Sequence, residues 1–280
     1  MSQIKSRRMT VLKSLPLSIY MLLALSVLLS SCGDEESGTK TGKSANQKFA
    51  HIYQEQEPFH DWVRERYQNI VIIHPPQHPH ADKIEDFARI FSSLARQACV
   101  FLRIEPQDSI VVYFYTGIGH GLSVTKKQAP FSDGNVVHFW FPSFYGAPIA
   151  KHLLPIWHKV ETKHQFLKHG IIALLDGAGR NYHQETLKLI DSGKFIPLNQ
   201  LAVDTTIDVD LERLQSAEAA SFVDYLVYAN DIDRLKELYA SEDDFAVAVE
   251  KILRLPAAQL EKNWLAFVKT VAARNSSTNK

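Results

Sequence analysis

Asn69-Ile70-Val71-Ile72-Ile73-His74, closed by Pro75-Pro76, is a β-branched run ended by a breaker, and it predicts a strand. Working outward, apolar residues recur at Ile84, Phe87, Ala88, Phe91, Leu94 and Ala95 within residues 81–102. Spacings of three and four put them on one stripe, so this stretch predicts an amphipathic helix of several turns. Ser109-Ile110-Val111-Val112-Tyr113-Phe114-Tyr115 predicts a second strand, and Val136-Val137-His138-Phe139-Trp140-Phe141, ended by Pro142, a third. Strand, long helix, strand, loop, strand implies a small sheet with one helix across its face. Beyond Gly146 the pattern turns helical, with breaks at Gly170, Gly177, Gly179, Gly193, Pro197 and Pro256. The clearest helices are expected at 217–229, 243–253 and 257–273, the last with Leu260, Trp264, Phe267, Val268 and Val271 on one side. The expected class is therefore α+β, an α/β lobe over residues 49–146 followed by a helical lobe over 147–275.

Composition narrows the function. In 280 residues, 45% apolar and 22% charged, 31 basic side chains balance 31 acidic ones. That excludes a disordered chain, and it removes the positive excess on which a general nucleic-acid binder depends. With only Cys32 and Cys99, no disulfide framework exists, and Cys99 in its apolar surroundings reads as a packed thiol.

Lys5, Arg7, Arg8 and Lys13 precede an uncharged apolar run over 15–29. This is the charge and length pattern of a secretory signal, too short for a comfortable bilayer span. Leu29-Ser30-Ser31-Cys32 at its end resembles the lipobox of bacterial lipoproteins. The resemblance implies removal of residues 1–31 and a membrane anchor through lipidated Cys32, in the bacterial cell envelope and at its outer membrane. The mature chain would carry 27 basic and 31 acidic residues. Residues 32–48 are polar and aperiodic, a flexible tether. Its Asp34-Glu35-Glu36 is either an export signal like those of surface lipoproteins or a solvated linker.

Chemistry is sought among 12 histidines, seven of them between His120 and His183. Neutral imidazole is the commonest metal ligand and general base. His74, His78 and His80 lie among prolines and read as solvated loop residues, and His51, His60, His158 and His164 as structural. HExxH, HxxEH, CxxC, G-x-S-x-G and the Walker A loop are all absent from the sequence. Asp176, Arg180, Asn181 and His183 form a polar patch after an apolar helix. It reads either as a helix cap with an Arg–carboxylate pair or as ligand contacts. The aromatic run from His138 to Tyr145 reads as core or as a binding platform.

Phe166-Leu167-Lys168-His169-Gly170-Ile171-Ile172-Ala173-Leu174-Leu175 resembles the W-L-x-E-G-L-A-x-Y-L helix of gluzincin metallopeptidases, the thermolysin-like, peptidase-MA-like group. Ser221-Phe222-Val223-Asp224-Tyr225-Leu226 is similar to their S-F-V-x-Y-L helix, and Glu261-Lys262-Asn263-Trp264-Leu265-Ala266-Phe267 to their terminal E-x-x-W-x-x-F/Y helix. The resemblance implies a zincin-like fold over residues 49–269. Gluzincins hold zinc on two His and a Glu, with the HExxH Glu as general base. Aligned on the motifs, Pro148 stands at the first His, Ile149 at the base, His152 at the second His, and His169 at the third-ligand Glu.

An isoleucine accepts no proton, and losing a general base costs on the order of 10²–10⁴ in rate. The resemblance therefore implies a protein that has lost catalysis, carries no cofactor and binds a peptide, a glycan or an envelope protein. The alternative is a metal-dependent hydrolase on a non-standard site. Its zinc or similar metal would sit on His152 and His169, completed by His138 or His183. The lipoprotein address alone also suits a component of a nutrient-uptake system.

Overall fold

The computed structural model describes residue 59 and residues 61–134, 136–141, 145–203 and 209–278. All belong to one unit, Glu55–Lys280. The signal segment, Cys32, the tether, His51 and His60 lie outside the described residues.

Five strands form one mixed sheet: β1 (Val63–Tyr67), β2 (Ile70–His74), β3 (Ile110–Phe114), β4 (Phe131–Asp133) and β5 (Val136–Phe139). Their order is β1-β2-β3-β5-β4. β2, β3 and β5 run parallel, with β1 antiparallel to β2 and β4 antiparallel to β5. The three apolar runs read from the sequence form this parallel centre, and every residue of β2, β3 and β5 is buried. Strands covered on both faces read as continuous apolar runs, which is why these were legible. The two edges were not expected. β1 (Val-Arg-Glu-Arg-Tyr) alternates charge, as an edge strand that must not recruit another strand does. β4 has only three residues.

Helix α1 (Ile84–Leu102) crosses one sheet face after a 3-10 turn at Ala81–Lys83. Its Ile84, Phe87, Ala88, Phe91, Ala95, Ala98, Cys99 and Leu102 are buried with Ile70, Ile72, Ile110, Val112, Phe114, Val137 and Phe139 of the strands. Leu94, expected on that stripe, is only half-buried. Arg103 ends the helix in the left-handed conformation (φ 51°) and ion-pairs with Asp231 at 2.6 Å. A short helix, α2 (Ile118–Thr125), follows β3 and was also unexpected, since two of its eight residues are glycine.

The remaining helices are α3 (Gly146–Trp157), α4 (Gln165–Leu174), α5 (Tyr182–Asp191), α6 (Leu198–Leu201), α7 (Val209–Asn230), α8 (Ile232–Ala240), α9 (Phe245–Leu253) and α10 (Ala257–Thr278). The expected spans 217–229, 243–253 and 257–273 fall within or onto α7, α9 and α10. The fold is thus α+β, with the strands grouped in the N-terminal half and helices after them.

One expectation is corrected. His74 and His78 are not solvated; their exposures are 2% and 4%. His74 is the last residue of β2, and its Nδ1 lies 2.8 Å from the Pro75 carbonyl. His78 Nε2 meets the Tyr115 carbonyl at 3.3 Å, and the ring packs on Phe114 with centroids 4.4 Å apart. The proline-rich loop folds back over the strand ends instead of projecting into water.

Candidate functional site

Helix α3 holds the positions at which the gluzincin resemblance expects a metal ligand and a base. Its start is tied to the end of α4, because the Gly146 amide donates to the Asp176 carbonyl at 2.9 Å. Pro148 lies in the first turn, where a missing N–H breaks no helical bond, and it is buried. Ile149 is fully buried in the core shared by the sheet and α1. Neither position presents a donor atom.

His152 lies one turn further on and is 7% exposed. Its Nδ1 is 3.4 Å from Ser132 Oγ on β4, so α3 lies against the sheet edge. Burial pushes the imidazole below its ordinary pKa, partly opposed by a hydrogen bond to the Gly134 backbone. His169 is half-buried on α4, near Glu161, whose carboxyl the Lys168 ammonium holds below its usual range with a small contribution from His169.

His138 occupies the opposite sheet face. In β5 alternate residues face opposite ways. Val137 and Phe139 enter the core, while His138 stacks between Phe131 (4.4 Å, 8° between planes) and Tyr113 (5.3 Å, 14°). These three rings come from paired positions on β4, β5 and β3. Tyr115 Oη is 2.7 Å from His138 Nδ1, and burial lowers the imidazole pKa to about 4. The aromatic run was read as core or platform; Phe139 and Trp140 are core, and Phe141 is half-buried.

His183 lies elsewhere again, between α5, α7 and α10. Its Nε2 is 2.8 Å from Asp224 Oδ2 and its Nδ1 2.8 Å from Ser221 Oγ, which also accepts Trp264 Nε1–H at 3.0 Å. In the neutral ring the protons run one way, from Trp264 to Ser221 to His183 to Asp224. Ser, His and Asp in line are also the parts of an acyl-transfer triad. Ser221, however, is 0% exposed and occupied by Trp264, so no substrate carbonyl reaches it. The chain pins three helices. Ser221→Ala strips Trp264 Nε1 and His183 Nδ1 of a buried partner, with an expected loss of about 2 kcal/mol in stability. A urea midpoint unchanged from the parent would show that the chain contributes nothing.

The polar patch after α4 is a turn between helices. Gly177 (φ 73°) and Gly179 (φ 66°) are left-handed, and Asn181 caps α5 by accepting the Gln184 amide at 3.0 Å. Arg180 pairs with Glu185 through both its Nε, at 3.1 Å, and its Nη2, and it lies over the Tyr182 ring. Asp176 Oδ1 accepts the Ala178 amide, while Oδ2 lies 2.9 Å from a Tyr182 hydroxyl that is also 2.6 Å from the Ala173 carbonyl. Burial raises the Asp176 pKa, opposed by the hydrogen bonds it accepts from the Ala178 amide and the Tyr182 hydroxyl.

His138, His152 and His183 thus have separate surroundings. Among the described residues, no group of three or more His, Cys, Asp or Glu is placed to hold a metal ion. The residues present do not fit a gluzincin zinc centre. No protein-family model matches the chain, and no curated protein does. Sequence reasoning missed Tyr115, the partner of His138, and Glu218, a buried carboxyl whose Oε1 accepts the Ile196 amide at 2.9 Å while Oε2 has no partner. Tyr115 ends an apolar run, and Glu218 sits in the Ala-rich stretch Ala217-Glu218-Ala219-Ala220 of α7. That lone acid among alanines was the available signal.

Proposed function

We propose that the chain is a lipid-anchored protein of the bacterial cell envelope, with a gluzincin-like fold that serves as a non-catalytic binding or scaffolding module. The observation that carries the reading is Ile149. The position that would need a proton acceptor holds a side chain with 0% exposure, enclosed by core. A rotamer change cannot supply the base, and Pro148 beside it supplies no ligand.

The strand edge beside α3 supports a binding role. β4 is the outermost strand next to β5, and Phe131 and Ser132 are half-buried there. An edge strand carries backbone donors and acceptors that an extended peptide can pair with. A peptide segment, whether free or part of an envelope protein, is the ligand class this edge suits best. Among the described residues no helix is long and apolar enough to cross a membrane, so membrane attachment in this reading rests on Cys32.

Two measurements on the full chain test the proposal. Peptide-library cleavage should match a no-enzyme control, with or without zinc and with or without chelator. Labelled palmitate should enter the parent and not Cys32→Ser. Chelator-sensitive hydrolysis would overturn the non-catalytic reading, and equal labelling of both chains would overturn the anchor.

A further inference from the structure

Helix α2 presents an apolar pair to solvent. Ile118 and Leu122 are 49% and 42% exposed and stand one turn apart. The helix ends at Lys126, which is left-handed (φ 59°), and Lys127 follows; both are exposed. Lys126 Nζ reaches back to the Ser123 carbonyl at 2.7 Å, and Lys127 lies over the Phe131 ring. Residues 110–132 contain no acidic side chain, so α2 and the segments flanking it contribute basic charge only.

The helix is held in this attitude from beneath. A Cβ on Gly121 would lie 2.5 Å from the Trp140 ring, so α2 rests directly on that indole. Gly117 and Gly119 have nothing within 4 Å of where a side chain would begin, which leaves Ile118 standing clear.

The place where the chain enters the fold selects the occupant. Twenty-six residues separate Cys32 from Phe59. The first described rings, Phe59 and Trp62, pack on Tyr113 and Tyr115, and Trp62 lies 5.5 Å from the His120 ring of α2 itself. Phe59 and Trp62, where the described chain begins, thus lie beside α2. Exposed aliphatic side chains backed by lysines suit an anionic bilayer, whose headgroups attract the ammonium groups while the interface takes up the apolar pair.

We propose that α2 is a membrane-contact face. In the anchored protein, Ile118 and Leu122 enter the headgroup region of an anionic bilayer and Lys126 and Lys127 engage its phosphates. This deepens the proposed function and rests on the anchor at Cys32. It gives the domain a fixed orientation, with α2 toward the membrane.

The test uses the full chain reconstituted into vesicles of phosphatidylethanolamine and phosphatidylglycerol. A polarity-sensitive fluorophore is placed at Ile118→Cys, or at Val203→Cys as an exposed control; Cys99 is buried. Brominated lipids should quench the label at 118 at least twofold more than the label at 203. The double change Lys126→Glu with Lys127→Glu should abolish that difference while the protein stays on the vesicles. Equal, water-like behaviour of both labels in vesicle-bound protein would overturn the contact face while leaving palmitate labelling of Cys32 intact. A shift at 118 that needs no lipid and grows with protein concentration, or with added envelope proteins, would assign the face to a second copy or a partner and equally overturn it. Absence of palmitate labelling removes the anchor alone, and the quenching at 118 still decides the face.

Discussion

Gly170→Ala should destabilise the protein by about 3 kcal/mol or more, although the same change in a free helix stabilises by roughly 0.5–1 kcal/mol. Gly170 lies inside α4, and a Cβ there would sit 2.5 Å from the Ala219 carbonyl oxygen and 2.7 Å from its carbon, both backbone atoms of α7. A flexible side chain could swing away from such a contact, but a helical carbonyl cannot. The two helices must separate by several tenths of an ångström, and that loosens the packing of a domain whose total stability should be about 5–15 kcal/mol. Gly146→Ala should behave alike, with Leu175 and Asp176 backbone atoms 2.0–2.8 Å from the added carbon. Gly119→Ala is the control: nothing lies within 4 Å, and the change should be neutral or slightly stabilising. Urea midpoints of the three variants decide the matter. If Gly170→Ala and Gly119→Ala moved the midpoint equally, close backbone packing of α4 on α7 would be refuted.

The same glycine shows how far the sequence could be read. The three short motifs of the helical half lie at contacts between helices. Gly170 of the first receives the α7 backbone just before the second. In the second, Ser221 and Asp224 hold His183, and Phe222 is core. In the third, Glu261 accepts the Leu198 amide, Trp264 donates to Ser221, and Phe267 lies edge-on to His183 with ring centroids 5.1 Å apart. Small, aromatic and polar residues at fixed helical spacings were visible as a pattern because each must meet a partner on another helix. The central strands were legible for a similar reason, since full burial on both faces leaves no polar residue to confuse the period.

What escaped was set by long-range partners or by short length. β1 carries the charges of an edge, β4 is three residues long, and α2 is held by Trp140 more than by its own glycine-containing sequence. The candidate site was the least legible part. Shared residue type invited four histidines into one centre, yet imidazole spacing along a chain says little about which face of a sheet a ring takes. His138 and the core residue Val137 differ by one position and face opposite ways. Pro148 and Ile149 are both buried in the first turns of α3, as apolar residues on a packed helix are.

Glu218 supplies the second large effect, and its sign follows from proton counting. Burial raises this carboxyl to about 7, against an ordinary 4.5, opposed only by the Ile196 amide. The folded state therefore holds a proton that the unfolded chain has released above its own pKa. By linkage, stability should fall as pH rises from about 4.5 toward 7, and the penalty should level off above 7 near 3 kcal/mol. Glu218→Gln keeps the acceptor for Ile196 and abolishes the titration. It also buries two amide N–H groups where one carboxyl proton sat, so at pH 5 the variant should be the less stable, by about 1–2 kcal/mol. At pH 8 the order should reverse, the difference having swung by roughly 3 kcal/mol in favour of glutamine. Other buried groups add slopes of their own. Asp176 slopes the same way as Glu218, whereas His78, His138 and His152, pushed down by burial, slope the opposite way. All four are common to both proteins, so the difference between the two pH–stability curves isolates Glu218. Parallel curves from pH 5 to 8 would mean that the carboxyl at the α7 position has found a partner or water, and that its proton is released as in an exposed glutamate.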